Sequence, residues 1–172
     1  MRIYIPATLA MLQRLVAEGS LWPVNGTAFA VTPRLREAYA EGDDDELGEV
    51  ALREAALASL RLLAIASDEA PDDVLPPRRA VLVADVGDAA TVALRPDLDD
   101  AVVRISEPVS SAEVVAAFVD NASAEAHVKA AVAVIDAADL GDEDADLTVG
   151  DAQDHDLAWY AVQELPFLLE LL

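Results

Sequence analysis

The segment Ala80-Val81-Leu82-Val83-Ala84-Asp85-Val86 constrains the fold more than any other. It is short, almost wholly apolar, and follows the proline-bearing stretch Pro71 to Arg79. A run of that length with no polar alternation suits a β-strand buried on both faces. Such a strand needs a sheet around it and cover above and below. The remaining segments supply both. Arg2 to Ile5, Thr27 to Val31, Ala101 to Ile105 and Ala117 to Asp120 read as strands, and helical segments fall between them. The alternation predicts a layered α/β domain: a mixed sheet of about five or six strands with helices packed on at least one face. A chain of 172 residues, 54% hydrophobic and only 5% aromatic, suits one domain with an aliphatic core.

Helix boundaries are marked by chemistry. Thr8 is placed to cap a helix carrying Leu9, Leu12, Leu15 and Val16, and Gly19 to end it. Thr32-Pro33 opens a short helix to about Ala40. Asp43, Asp44 and Asp45 open the longest one, through Ala66, with Glu49 and Arg53 spaced for an i,i+4 pair. Residues 67–79 read as a loop joining two halves, and residues 87–100 have no clear periodicity. Ser110 and Glu113 have capping-box spacing and predict a short helix. Ser123 to Ala138 predict a long one. Residues 139–154 read as an acidic loop with a brief strand at Leu147 to Val149, and Asp154 as the cap of a helix from His155 to Leu165. An apolar tail, Phe167 to Leu172, follows Pro166.

Charge and composition narrow the chemistry. The chain carries 33 acidic residues, ten Arg and one Lys (Lys129), a net charge of −22. Phosphate backbones and anionic membranes repel such a surface, so the expected partners are cations, basic protein surfaces or neutral ligands, with no nucleic acid and no membrane. With no cysteine, thiolate chemistry and disulfides are excluded, and with two histidines, His127 and His155, so is a multi-histidine metal centre within one chain. Nothing near Met1 has the long apolar stretch of a signal peptide, and no run nears the roughly 20 apolar residues of a bilayer span, which together predict a cytoplasmic protein. From Ala130 to Leu172 there are eleven acids and no Lys or Arg, so half of the net charge lies in the last quarter of the chain.

Three segments carry a resemblance: Met1-Arg2-Ile3-Tyr4-Ile5-Pro6-Ala7-Thr8-Leu9, Ala28-Phe29-Ala30-Val31-Thr32-Pro33-Arg34-Leu35-Arg36-Glu37-Ala38-Tyr39, and Trp159-Tyr160-Ala161-Val162-Gln163-Glu164-Leu165-Pro166. Together with Ala56 to Ala64 and Asp139 to Ala145, they make nearly the whole chain similar to an uncharacterised family of short acidic actinobacterial proteins. The resemblance implies the residue bias of a GC-rich genome and brings no activity with it.

Three constellations are candidates for function. Asp142, Asp144 and Asp146 stand like the start of a calcium loop, but Leu147 occupies the place of the turn glycine and Gln153 that of the bidentate Glu, so no metal site is assigned. On a helix from His155, the residues His155, Trp159 and Gln163 would share one face, and Asp156, Tyr160 and Glu164 the adjacent one. These six residues are candidates for binding; the structural alternative makes Trp159 a core anchor. Arg34 and Arg36, near Tyr4 and Tyr39 in the third constellation, are candidates for an anion, the alternative being pairing with surplus carboxylates. No phosphate-binding, nucleophile-elbow, dinucleotide or metalloprotease fingerprint is present. No catalytic residue and no cofactor is assigned. The favoured expectation is a non-catalytic binding or regulatory protein using its acidic C-terminal surface on a protein partner or in a homodimer. The alternatives are a small-molecule enzyme using carboxylate and histidine acid–base chemistry, and an acidic mimic of nucleic acid.

Overall fold

The computed structural model describes residues 1–70, 75–87 and 91–172. Parts of two segments read from the sequence, 71–74 of the connecting loop and 88–90 of the unassigned stretch, lie outside the described residues. The architecture is mixed α/β. Strands β1 (Arg2–Ala7), β3 (Thr27–Phe29), β4 (Ala80–Asp85), β5 (Val92–Leu94), β6 (Val102–Ile105), β8 (Val114–Val119) and β9 (Ala158–Ala161) form one sheet in the order β5-β6-β3-β1-β4-β8-β9. Seven strands exceed the expected five or six, and every pairing is antiparallel. A separate ribbon joins β2 (Ser20–Leu21) to β7 (Val109–Ser110).

The apolar run reads as expected. β4 lies between β1 and β8, and Ala80 to Ala84 are buried whichever way their side chains point. Ala80, Leu82 and Ala84 pack with Ile3, Ile5, Ala117 and Val119 beneath two helices, α1 (Leu9–Glu18) and α6 (Leu165–Glu170), which contribute Leu9, Leu12, Leu15, Leu165 and Leu168. Val81 points the other way, into a second cluster with Phe29, Leu35, Leu47, Ala51 and Ala55. That cover comes from α2 (Pro33–Ala38) and the 26-residue α3 (Asp44–Glu69). The distal half of α3 builds a third cluster with α4 (Glu125–Asp139) and α5 (Glu143–Gln153), through Leu60, Val128, Ile135 and Val149.

The caps read from the sequence are in place. Thr8 accepts from Met11 N, Thr32 from Leu35 N and Asp43 from Glu46 N. Gly19 closes α1 at φ 78°, a left-handed conformation that a Cβ would penalise. The Glu49–Arg53 spacing yields no ion pair among the described residues; Arg53 Nη1 donates to the Gln153 carbonyl, and Gln153 Nε2 donates back to the Arg53 carbonyl. Ser110 and Glu113 do bond, Glu113 Oε1 accepting from both Ser110 N and Oγ, but they close a turn into β8 and no helix follows.

The C-terminal quarter corrects two expectations. The acidic loop 139–154 is largely helix: Asp142 caps α5 by accepting from Ala145 N, and Glu143, Asp144 and Asp146 sit in its first turn, where the dipole favours carboxylates. The expected strand at Leu147 to Val149 is in that helix. Conversely, the helix expected from His155 to Leu165 is an edge strand, β9, followed by a 3-10 turn, Val162–Glu164, and then α6. The sheet overrides local helical spacing because β8 offers an open row of backbone partners, and Val119↔Ala158 through Ala116↔Ala161 pair along it. The apolar tail divides: Leu168 is buried on the core, and Phe167 and Leu171 face outward.

Candidate functional site

Residues directly opposite one another in an antiparallel sheet share a face. One row on the α3 side runs Tyr4, Val83, Ala116, Ala161 across β1, β4, β8 and β9, and the next runs Pro6, Val81, Phe118, Trp159. Large rings therefore stand on either side of a floor of small residues. The first half of α3 lies over this floor on the β1 side, and Gly48 makes its approach feasible: a Cβ there would come within 2.8 Å of Tyr4 Oη. At β9 the cover ends, and Trp159 is exposed. The result is a cleft of about 620 Å³ with Tyr4, Phe118 and Trp159 in its lining. Trp159 is 57% exposed, so it is a cleft wall and not the core anchor of the structural alternative.

The rim is charged. Arg2 Nε meets Asp85 Oδ1 at 3.0 Å, and Arg36 is paired with Asp44. Both guanidiniums on the rim are thus held by carboxylates of their own. Asp45 and Glu49, one turn apart on α3, also line the cleft and take part in none of the ion pairs between described residues. The positive end of the α3 dipole is already occupied by Asp43, Asp44, Asp45 and Glu46. Burial raises the Tyr4 phenol above its ordinary range; Arg2 opposes that rise, and Asp45 and Asp85 add to it. The Arg2 contact holds the Asp85 carboxyl below its usual value.

A second groove of about 420 Å³ shares Glu49 and Leu52 with the first and includes His155 and Asp156. Beneath it lies a buried polar network. Arg79, whose side chain is 2% exposed, donates from Nε and Nη2 to the two oxygens of buried Asp120, at 2.9 and 2.8 Å. Its Nη1 donates to Gln153 Oε1 and its Nη2 to the His155 carbonyl, both at 2.8 Å. The Arg79 amide also donates to Asp120. One guanidinium thereby ties the start of β4, the end of β8 and the turn between α5 and β9. At that turn His155 meets His127 of α4, the chain's other histidine, His127 Nδ1 lying 2.7 Å from His155 Nε2. Their ring centroids are 5.0 Å apart, so the rings meet nose to nose, the arrangement of a hydrogen bond that needs one unprotonated nitrogen.

The candidates read from the sequence are therefore dispersed. Trp159 and Arg36 line the cleft, and His155 and Asp156 the adjoining groove. Tyr160, next to Trp159 on a strand, points to the opposite side of the sheet and packs on the α1–α6 core. Gln163 is exposed on the 3-10 turn, and Glu164 reaches back to the Ala161 amide at 3.4 Å. Arg34 pairs with Asp100 at 3.4 Å and is not in the cleft lining. The helical faces that grouped six of these residues do not exist. Sequence reading missed Tyr4 as a cleft wall, Phe118, the Asp45–Glu49 pair and Arg79. Arg79 had one usable signal, a cation immediately before a strand too apolar to tolerate it unpaired.

No curated protein and no solved structure matches the chain. A family model does, over residues 1–169, which takes in the buried Leu168 of the tail. The chain belongs to the Family of unknown function (DUF6912).

Proposed function

We infer that this is a non-catalytic binding protein that engages a protein partner through the cleft between α3 and the β8–β9 edge. The observation that carries this reading is the exposed Trp159, set opposite Phe118 on a face where every other large ring is at least half-buried. Exposed aromatics beside a floor of small residues are the usual anchors of recognition surfaces. The acid–base alternative has less support, because His155 is engaged with His127 and its carbonyl with Arg79, and Trp159 lines the other groove. The surplus of acid over base makes a basic partner the natural complement.

Co-purification of the full chain from its native host tests this. A partner retained by the wild type and by Leu171→Glu, but lost from Trp159→Ala and Glu49→Arg, supports recognition in the cleft. A partner lost only from Leu171→Glu, or a homodimer that survives both cleft substitutions, overturns it in favour of the tail. Retention of no partner at either low or high salt overturns it as well.

A further inference from the structure

Resting on that reading, we propose that the cleft takes the side chain of a lysine presented by a basic segment of the partner, its stem along Phe118 and Trp159 and its ammonium toward the Asp45–Glu49 pair. Three observations converge. The rings and the short side chains Val83 and Ala116 make a trough suited to an aliphatic stem. Aromatic faces attract an ammonium through their quadrupole, and more strongly where water is partly excluded. Among the described residues the two carboxylates on the α3 wall take part in no ion pair, and the two rim arginines are paired with Asp85 and Asp44. An anion finds no such provision: the helix N-terminus is filled with the chain's own acids. A lysine suits the site better than an arginine, since no carboxylate pair in the lining is placed on a rigid fork; both are exposed side chains on one helix face.

Bulk charge alone would draw a cationic peptide to a chain of net charge −22, so the test must separate the cleft from the field. A fluorescein-labelled alternating Lys/Gly peptide is titrated with the full chain carrying Trp22→Phe, which leaves Trp159 as the sole tryptophan. Affinity comes from anisotropy, and site occupancy from the shift in Trp159 emission. The expected result is an emission shift on binding, an affinity drop of about tenfold for Trp159→Ala and for Asp45→Asn with Glu49→Gln, and less than about twofold for Asp144→Asn with Asp146→Asn. The last pair removes the same charge from the first turn of α5, away from the cleft. Equal losses from both pairs, an unchanged affinity in Trp159→Ala, or an Arg/Gly peptide bound more tightly than the Lys/Gly peptide would each overturn the proposal. If the Lys/Gly peptide fails while the co-purified partner is still lost from Trp159→Ala, the lysine assignment falls and the cleft remains the recognition site; if neither responds to Trp159→Ala, both fall.

Discussion

The two faces of the sheet are covered in different ways. On one, Ile3, Ile5, Leu82 and Val119 meet α1 and α6 in an aliphatic layer with every one of those strand positions buried. On the other, α3 covers β3 and β1 and Phe118 of β8 packs against its cluster, but Trp159 of β9 is left exposed, and Tyr4, Phe118 and Trp159 line the cleft. Short branched side chains interdigitate and close a layer; rings set at intervals across Ala and Val leave space between them. Of the aromatics on the described strands of the sheet, Tyr4, Phe29, Phe118 and Trp159 share this face and Tyr160 lies on the other; the exposed Trp159 marks where the chain's own packing ends.

The largest effect should come from the network that anchors the open side. Arg79→Ala leaves Asp120 buried without its counter-ion and releases the α5–β9 turn, and should cost about 3–5 kcal/mol in urea unfolding. A loss under 1 kcal/mol would mean that the turn is held by other contacts. The contrast between the faces is sharpened by Leu82→Ala against Trp159→Ala. The first opens a cavity in the sealed layer and should cost about 2–5 kcal/mol; the second should cost less than about 1 kcal/mol while weakening partner binding. Equal destabilisation would erase the distinction.

Gly48→Ala probes the seam where α3 meets the open face. Alanine ordinarily stabilises a helix interior over glycine by roughly 1 kcal/mol, but here the new Cβ meets the Tyr4 hydroxyl. The gain should be absent in the wild-type background and return with Tyr4→Phe, measured as a double-mutant cycle in thermal unfolding. A gain in both backgrounds would show that Tyr4 yields without cost.

The smallest effects are electrostatic. The Arg61 contacts, at 2.9 Å, hold the Asp139 carboxyl below its ordinary value. A depressed carboxyl contributes stability at pH above the unfolded value, and that contribution disappears as pH falls through the folded one. Asp139→Asn should thus lose a few tenths of a kcal/mol near neutral pH, the pair being two-fifths exposed, and match the wild type in strong acid. Glu54 has the opposite sign. Burial, with Asp99 adding, raises its carboxyl, and Arg61 and Arg53 oppose the rise. Its charged form is penalised in the fold, so Glu54→Gln should stabilise at neutral pH, and the gain should vanish as pH drops below the ordinary carboxylate range. Unfolding midpoints across pH 3–7 for the two variants should diverge in opposite directions from the wild type.

Much of the framework was legible along the chain. Thr8, Thr32 and Asp43 announce helices because a cap acts on amides two or three residues away. The 80–86 run shows a two-sided strand because burial on both faces leaves no polar alternation. The region after residue 139 departs from its local signals for a physical reason. Asp142 to Asp146 look like loop because carboxylates are poor helix formers in isolation, yet at an N-terminus they are favoured. Ala158 to Ala161 look helical because their spacing fits a helix, yet β8 had an unpaired edge to satisfy.

Local chemistry thus determined the α/β class, the caps, the two-sided strand and the acidity of the last quarter, since each depends on residues within a turn or a strand of one another. Tertiary structure alone decided the site. Tyr4, Glu49, Phe118 and Trp159 are separated by tens of residues, and only the register of β1, β4, β8 and β9 beneath α3 sets them around one cleft. The same register sent Tyr160 to the far side of the sheet, because adjacent residues on a strand point to opposite faces.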